Sequence, residues 1–251
     1  MTENLLLVFI GLVVGVVNTL VGSGSAIVLP VLLFLGLPAG VANGTNRLGI
    51  IFQTGVSTFS FYKKRLVEKH FFKAYVFPSL VGALLGSYFA SISSDYFLEK
   101  VVLGVILFVL VGGLVLWLLK SHKKRVSGNY SLSFVSSYLI FVLLGMYGGY
   151  IQVGLGLLII GLLHFFLGRN LTQVNVIKNL LVFCYTIPVF LFFWSEGLVN
   201  WEMAIFLALG QAIGGYVGAR IMFDFPGAEK WIRALFFVLL AAFLIRMLLK
   251  I

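Results

Sequence analysis

Long stretches without a single charge constrain this chain more than anything else in it. Residues 48–62, 74–94, 101–119, 134–163, 179–195, 203–219 and 234–245 carry none, and neither do 5–21 and 25–37. Crossing a hydrocarbon core takes about 20 apolar residues as helix. Backbone that meets lipid must pair all its own hydrogen bonds, so the choice is between helices and closed barrels. A barrel would show strands of about ten residues with alternating polarity, and these runs are continuous. The expectation is an all-α polytopic membrane protein in contact with the lipid bilayer. Composition agrees: 61% of the residues are hydrophobic and 10% are charged, outside the range of soluble domains.

The net charge of +10 does not imply nucleic acid, because Lys and Arg gather in short loops instead of alternating with aromatics on one face. The single cysteine, Cys184, excludes a disulfide framework and a cysteine pair for metal. No cofactor and no metal site are expected. The opening MTENLLLV has no basic n-region, so no cleaved signal peptide is expected.

Laid over itself with an offset of 132 residues, the chain repeats without a gap. Gly22 and Gly24 fall on Gly154 and Gly156, Gly36 on Gly168, Asn43 on Asn175, Thr54 on Thr186 and Phe61 on Phe193. Leu66 and Val67 fall on Leu198 and Val199, and Gly82 and Gly86 on Gly214 and Gly218. The expected organisation is a first transmembrane repeat over 1–119, a basic cytoplasmic linker over 120–133 and a second repeat over 134–251. Two-repeat membrane proteins are mostly transporters.

Each copy reads as a glycine-broken hairpin followed by three full transmembrane helices. If the broken segment folds back, a copy holds five elements and the two copies are inverted; if it crosses once, they are parallel. The five-element arrangement puts all but Arg47, Lys100, Arg246 and Lys250 of the 18 cations on one side. The positive-inside rule therefore favours inverted repeats with both termini outside.

The break itself, Gly22-Ser23-Gly24-Ser25, lies in the middle of an apolar run. Its limbs, 5–21 and 25–37, measure about 26 and 20 Å as helix, short of a core of about 30 Å. In inverted copies this tip and the one at Gly154 and Gly156 would face each other near the midplane. Irregular backbone at that depth needs protein or a watery cavity to satisfy it. Amides at the start of the Ser25 helix would offer an anion the positive end of a helix dipole. The Ser23 and Ser25 hydroxyls add donors. The structural alternative is a tight turn with glycines for close packing.

A second constellation follows each hairpin. Ala42-Asn43-Gly44-Thr45-Asn46-Arg47 has the copy Val174-Asn175-Val176-Ile177-Lys178-Asn179. Asn43 and Asn175 have the chemistry of helix N-caps. Arg47 and Lys178, expected in the first helical turn with Asn46 and Asn179 beside them, would give a doubly charged oxyanion a cation and amide donors from each copy. Against that stands snorkelling of the cations to the interface. Gln53, Gln152, Tyr185 and Gln211 are candidates for a pathway lining, with interhelical hydrogen bonding as the plainer role. His164 is a candidate proton relay. The Gly82/Gly86 and Gly214/Gly218 pairs have the spacing of close helix packing.

At these residues the sequence resembles the TauE/SafE family of sulfite exporters. The resemblance rests on Gly22-Ser23-Gly24-Ser25 with Pro30, then Gly36-Leu37-Pro38 and the Ala42–Arg47 hexapeptide. Phe61-Tyr62-Lys63-Lys64 and the weaker second copy complete it. It implies passive or proton-coupled movement of sulfite or organosulfur anions, usually outward, across a bacterial cytoplasmic (inner) membrane. The expected function is a secondary anion transporter working by alternating access; the alternative is an anion channel with the same cationic lining. An enzyme is not expected, because eight acids, three scattered histidines and one cysteine offer no nucleophile, base or metal cluster. There is no GxxxxGK[ST] fingerprint for ATP drive. A homodimer is compatible with the sequence.

Overall fold

A computed structural model describes residues 2–67, 75–118, 134–166, 171–225 and 227–248. The proposed linker, together with Lys69, Lys73, Gly168 and Arg169, lies outside them. Among the described residues every regular element is helical: α1 Thr2–Leu20, α2 Ser25–Phe34, α3 Ala39–Lys63, α4 Phe77–Ser91, α5 Asp95–Leu118, α6 Phe134–Tyr150, α7 Leu155–Gly161, α8 Leu171–Ser195, α9 Trp201–Asp224 and α10 Ala228–Leu248. A π-helical turn, Leu162–Phe166, extends α7.

Helices α3 and α8 occupy residues 132 apart at both ends. Both also finish in the same way. Leu66 N–H donates to Phe61 O at 3.2 Å and Leu198 N–H to Phe193 O at 2.9 Å, each around a residue with positive φ, Arg65 and Gly197. This is the 6→1 bond of a left-handed helix stop.

Three stretches, Glu3–Leu20, Thr172–Ser195 and Trp201–Asp224, are each long and apolar enough to cross a bilayer. Helices α3, α5 and α10, with 25, 24 and 21 residues, reach about 31 to 38 Å. The described part of α4, with 15 residues, reaches only about 23 Å, shorter than the full span expected for it. The chain is a multi-pass membrane protein.

Small residues determine how the helices meet. A Cβ on Gly82 would strike Val142 O, and one on Gly86 would strike Met146 O, so α4 and α6 lie backbone to backbone. Gly11 and Gly15 of α1 meet Leu207, Gly210, Gln211 and Gly214 of α9 in the same way. Contacts along both pairs advance together in residue number, so α1 runs parallel to α9 and α4 parallel to α6. Side chains cannot bring lipid-bathed helices together by hydrophobicity alone, and close backbone approach is the alternative.

Helices α3 and α8 run the other way to each other. Gly44 packs on Phe193, Gln53 bonds Asn179 and Phe61 shares a cluster with Val176, so rising numbers in α3 meet falling numbers in α8. Two apolar cores flank this crossing. One joins α1, α2, α5 and α10, and the other joins α4, α6, α7 and α8.

The two ends of the bundle differ in charge. Helices α1, α3 and α9 start at one end, and Asp95 Oδ1 at the start of α5 accepts from Gly40 N–H at 2.8 Å. That end carries Glu3, Asp95, Glu99, Glu196 and Glu202 with Lys100. The end where α3 and α9 finish carries Lys63, Lys64, Arg65 and Arg220 with Asp224. There Lys64 Nζ sits 3.7 Å from the centroid of the Phe223 ring.

Candidate functional site

Helix α1 ends at Leu20 because Gly22, with φ +83°, turns the chain where an L side chain would be strained; Gly154, with φ +73°, does the same after α6. The two tips touch. Gly156 N–H donates to Gly22 O at 2.9 Å, so this first-turn amide of α7 is engaged by the other tip. At the start of α2, Ala26 N–H bonds Ser23 O and Ile27 N–H bonds Gly24 O, both at 3.0 Å. Gly24 N–H bonds Asn18 Oδ1 at 3.1 Å. Ser25 Oγ accepts from Asn46 Nδ2 at 3.1 Å, whereas Ser23 Oγ is buried with no partner.

A Cβ on Gly156 would collide with the Gly22 backbone. Gly156→Ala is therefore expected to push the tips apart and lower stability by roughly 2 kcal/mol. Gly161→Ala at the end of α7, where a Cβ meets nothing within 4 Å, is expected to be neutral or slightly stabilising. Thermal unfolding of the purified variants measures the difference.

Asn43 and Asn175 are not N-caps. Helix α3 begins at Ala39, where Pro38 sets the entry as its cap, and α8 already runs from Leu171, so both asparagines lie a turn inside. For the same reason Arg47 and Lys178 lie in the third and second turns, deeper than the first turn that the sequence suggested. Depth gives both cations a common task on opposite copies.

Arg47 is fully buried. Its Nη1 donates to Gly148 O at 2.6 Å and to Gln152 Oε1. Its Nη2 donates to Gly149 O at 2.9 Å and to Asn43 Oδ1 at 3.0 Å. Asn43 Nδ2 in turn donates to Tyr150 O at 2.7 Å. The last carbonyls of α6, which no helical N–H reaches, are thus capped from α3. Lys178 does this for α1: Nζ donates to Asn18 O at 3.0 Å, Thr19 O at 2.9 Å and Asn175 Oδ1 at 2.8 Å. A cation at a helix C-terminus also meets the negative end of the dipole.

Between these caps lies a polar seam. Gln53 donates to Thr19 Oγ1 at 2.8 Å and to Asn179 Oδ1 at 3.2 Å, and it accepts from Asn18 Nδ2 at 2.7 Å. Asn179 Nδ2 donates to Asn175 O at 2.8 Å. A cavity of about 10 Å³ opens against the seam, room for a single water molecule. Its polar walls are Asn18, Thr54, Gln152, Lys178 and Asn179, with the Gly22 and Gly156 backbones at the tips and Leu155 and Val182 as apolar cover.

The remaining expected site residues fall elsewhere. Thr45 Oγ1 accepts from Asn200 N–H at 2.9 Å, tying α3 to the start of α9. Gln211 donates to Asn46 Oδ1 at 3.4 Å and fills the space over Gly49. Tyr185 is fully buried with its hydroxyl unpartnered. His164 lies half-buried in the π-helical turn and does not line the cavity. Gly154 packs towards Val109 of α5.

Asn18, Thr54 and the three α6 carbonyls were not singled out from sequence. Asn18 could have been found as a polar residue just before the break. Carbonyls carry no sequence signal. Among the described residues, no three His, Cys, Asp or Glu side chains come together as a metal site.

Residues 7–247 match the family model described as Sulfite exporter TauE/SafE. A probable membrane transporter protein (ORF9) of Sinorhizobium sp. is 26% identical, the match covering 94% of this chain and 88% of that one. A probable membrane transporter protein of Haemophilus influenzae is 26% identical, with 85% of this chain and 82% of that one covered. The probable membrane transporter protein YunE of Bacillus subtilis is 28% identical over 86% of this chain and 87% of its own length. No solved structure gives a significant match. A helical bundle of this depth, matched almost end to end and with a polar seam between its two broken hairpins, belongs to the TauE/SafE family of membrane transporters.

Proposed function

We propose that the protein is a secondary carrier for a small sulfur oxyanion, sulfite or an organosulfonate, working across a bacterial cytoplasmic membrane, mainly outward. The carrying observation is the pair of buried cations at the α3–α8 crossing, each capping the broken helix of the opposite copy. No carboxylate occurs between Glu3 and Glu68 or between Glu99 and Glu196, so the residues that build this crossing are cationic and amide-rich. A buried charge in a membrane marks a substrate pathway by default, and positive charge with amide donors suits an oxyanion.

Inverted repeats are supported by the antiparallel run of α3 and α8 and by the exchange of partners that puts α1 beside α9 and α6 beside α4. In that arrangement, rocking of one copy against the other exposes the crossing to each side in turn. The cationic end, with Lys63, Lys64, Arg65 and Arg220, faces the cytoplasm by the positive-inside rule, which leaves both termini outside. A negative interior favours anion exit by about 2.3 kcal/mol per charge per 100 mV. Coupling to protons belongs to the same proposal.

Counterflow in proteoliposomes tests the reading. Uptake of labelled sulfite is expected to saturate and to accelerate when unlabelled sulfite is loaded on the other side. Flux that rises linearly with concentration and ignores trans sulfite would indicate a channel instead.

A further inference from the structure

The two cations occupy corresponding ends of the copies, yet their surroundings differ. Arg47 has four acceptors on its two terminal nitrogens, is completely enclosed and lies over the Phe193 ring at 5.6 Å. It does not reach the cavity; Gln152, which accepts from it, does. Lys178 lines the cavity itself. Its stem passes Gly22 so closely that a Cβ there would come within 3.1 Å of Lys178 Cδ. The chemistry differs as well: a guanidinium is a rigid planar fork, whereas an ammonium is a compact point charge on a flexible stem that changes partners readily.

Resting on the carrier reading, we infer that Lys178 alone receives the anion, in one subsite with Asn18, Thr54 and Asn179, while Arg47 is a positioning residue that keeps α6 clasped. The cavity as it stands holds about one water, and a sulfur oxyanion is larger. Entry therefore requires Lys178 to leave Asn18 O and Thr19 O and turn to the anion.

On those two carbonyls Lys178 is the C-terminal cap of α1. Asn18 also holds Gly24 N–H at the tip and Gln53 across the seam. Binding thus uncaps α1 and loosens the α1–α2 hairpin in one event. That links occupancy to movement in the first copy, while the Arg47 clasp keeps the second copy's hairpin in place.

Full-length protein in nanodiscs and proteoliposomes tests the division of roles. For sulfite, Lys178→Gln is expected to raise Kd and KM about 10- to 100-fold, the value of a charge-assisted hydrogen bond, and Lys178→Arg to recover part of the loss. Thr54 Oγ1 donates to Ile50 O at 2.6 Å and must turn that proton to the anion, so Thr54→Val is expected to raise KM about threefold or more, as loss of a neutral hydrogen bond does. Arg47→Lys is expected to lower the unfolding midpoint and Vmax with KM within about threefold of wild type, the pattern of a group that does not bind substrate.

Flux with normal KM in both Lys178 variants, or a KM raised tenfold in Arg47→Lys, would overturn the inference and leave the carrier reading standing. Bromide soaked into crystals gives an arm that does not depend on sulfite. Anomalous density beside Lys178 supports the subsite even if no sulfur oxyanion is moved, which would overturn the carrier reading by itself. Density at Arg47, or at neither cation, overturns the subsite.

Discussion

Arg47→Met is expected to destabilise the folded chain by roughly 3–5 kcal/mol, because four buried acceptors lose their donor at once. Methionine fills much of the volume, so the effect is one of unmet hydrogen bonding more than of a cavity. Gly148 O and Gly149 O end α6 beyond the reach of helical N–H groups, and no described side chain other than Arg47 donates to them. The measurement is the thermal unfolding midpoint in detergent, with Arg47→Lys as the intermediate case: one ammonium cannot satisfy acceptors spread across a guanidinium fork. A midpoint unchanged in Arg47→Met would mean that α6 is capped in some other way.

The second large effect is expected where α4 meets α6. Gly86→Leu would drive a side chain into Met146 O, with Tyr150 N close behind. Neither is the far end of a flexible side chain, so the helices themselves must separate, at about 3 kcal/mol or more, the upper range for overpacking. Tyr150 lies at the end of α6, where its carbonyl is bonded by Asn43, so displacement of α6 also strains the Arg47 clasp. Gly104→Leu on α5, where a Cβ meets nothing within 4 Å, is the control and is expected to stay within about 0.5 kcal/mol of wild type. Equal losses in both variants would mean that leucine harms any of these helices and that close approach is not the cause.

Several features were legible in the sequence for definite physical reasons. A long continuous apolar run can only be helix in lipid, since a barrel strand would alternate in polarity, so 101–119 and 203–219 announced themselves. The Gly82/Gly86 and Gly214/Gly218 spacing marked faces where backbones approach, and these glycines do sit at the α4–α6 and α1–α9 contacts. The glycine breaks were legible too, since Gly22 and Gly154 supply the positive φ that each turn requires.

Partners were not legible. Asn43 looked like a helix cap because its chemistry suits one, yet Pro38 starts α3 earlier and Asn43 reaches Tyr150 instead, more than a hundred residues away in sequence. Gln211 bonds between helices, the plainer of its two readings, but that its partner is Asn46 of α3, and that Thr45 meets Asn200 at the start of α9, no local pattern foretold. Arg47 and Lys178 stood out as charges in the wrong solvent, but their acceptors are main-chain carbonyls, which every residue has. The sequence by itself determined a helical membrane chain with two broken hairpins and a cation after each, because hydropathy, glycine and charge are local properties of the residues. Only the tertiary structure decided which helix end each cation caps and which cation reaches open space, because carbonyls become specific partners only when distant segments are packed against them.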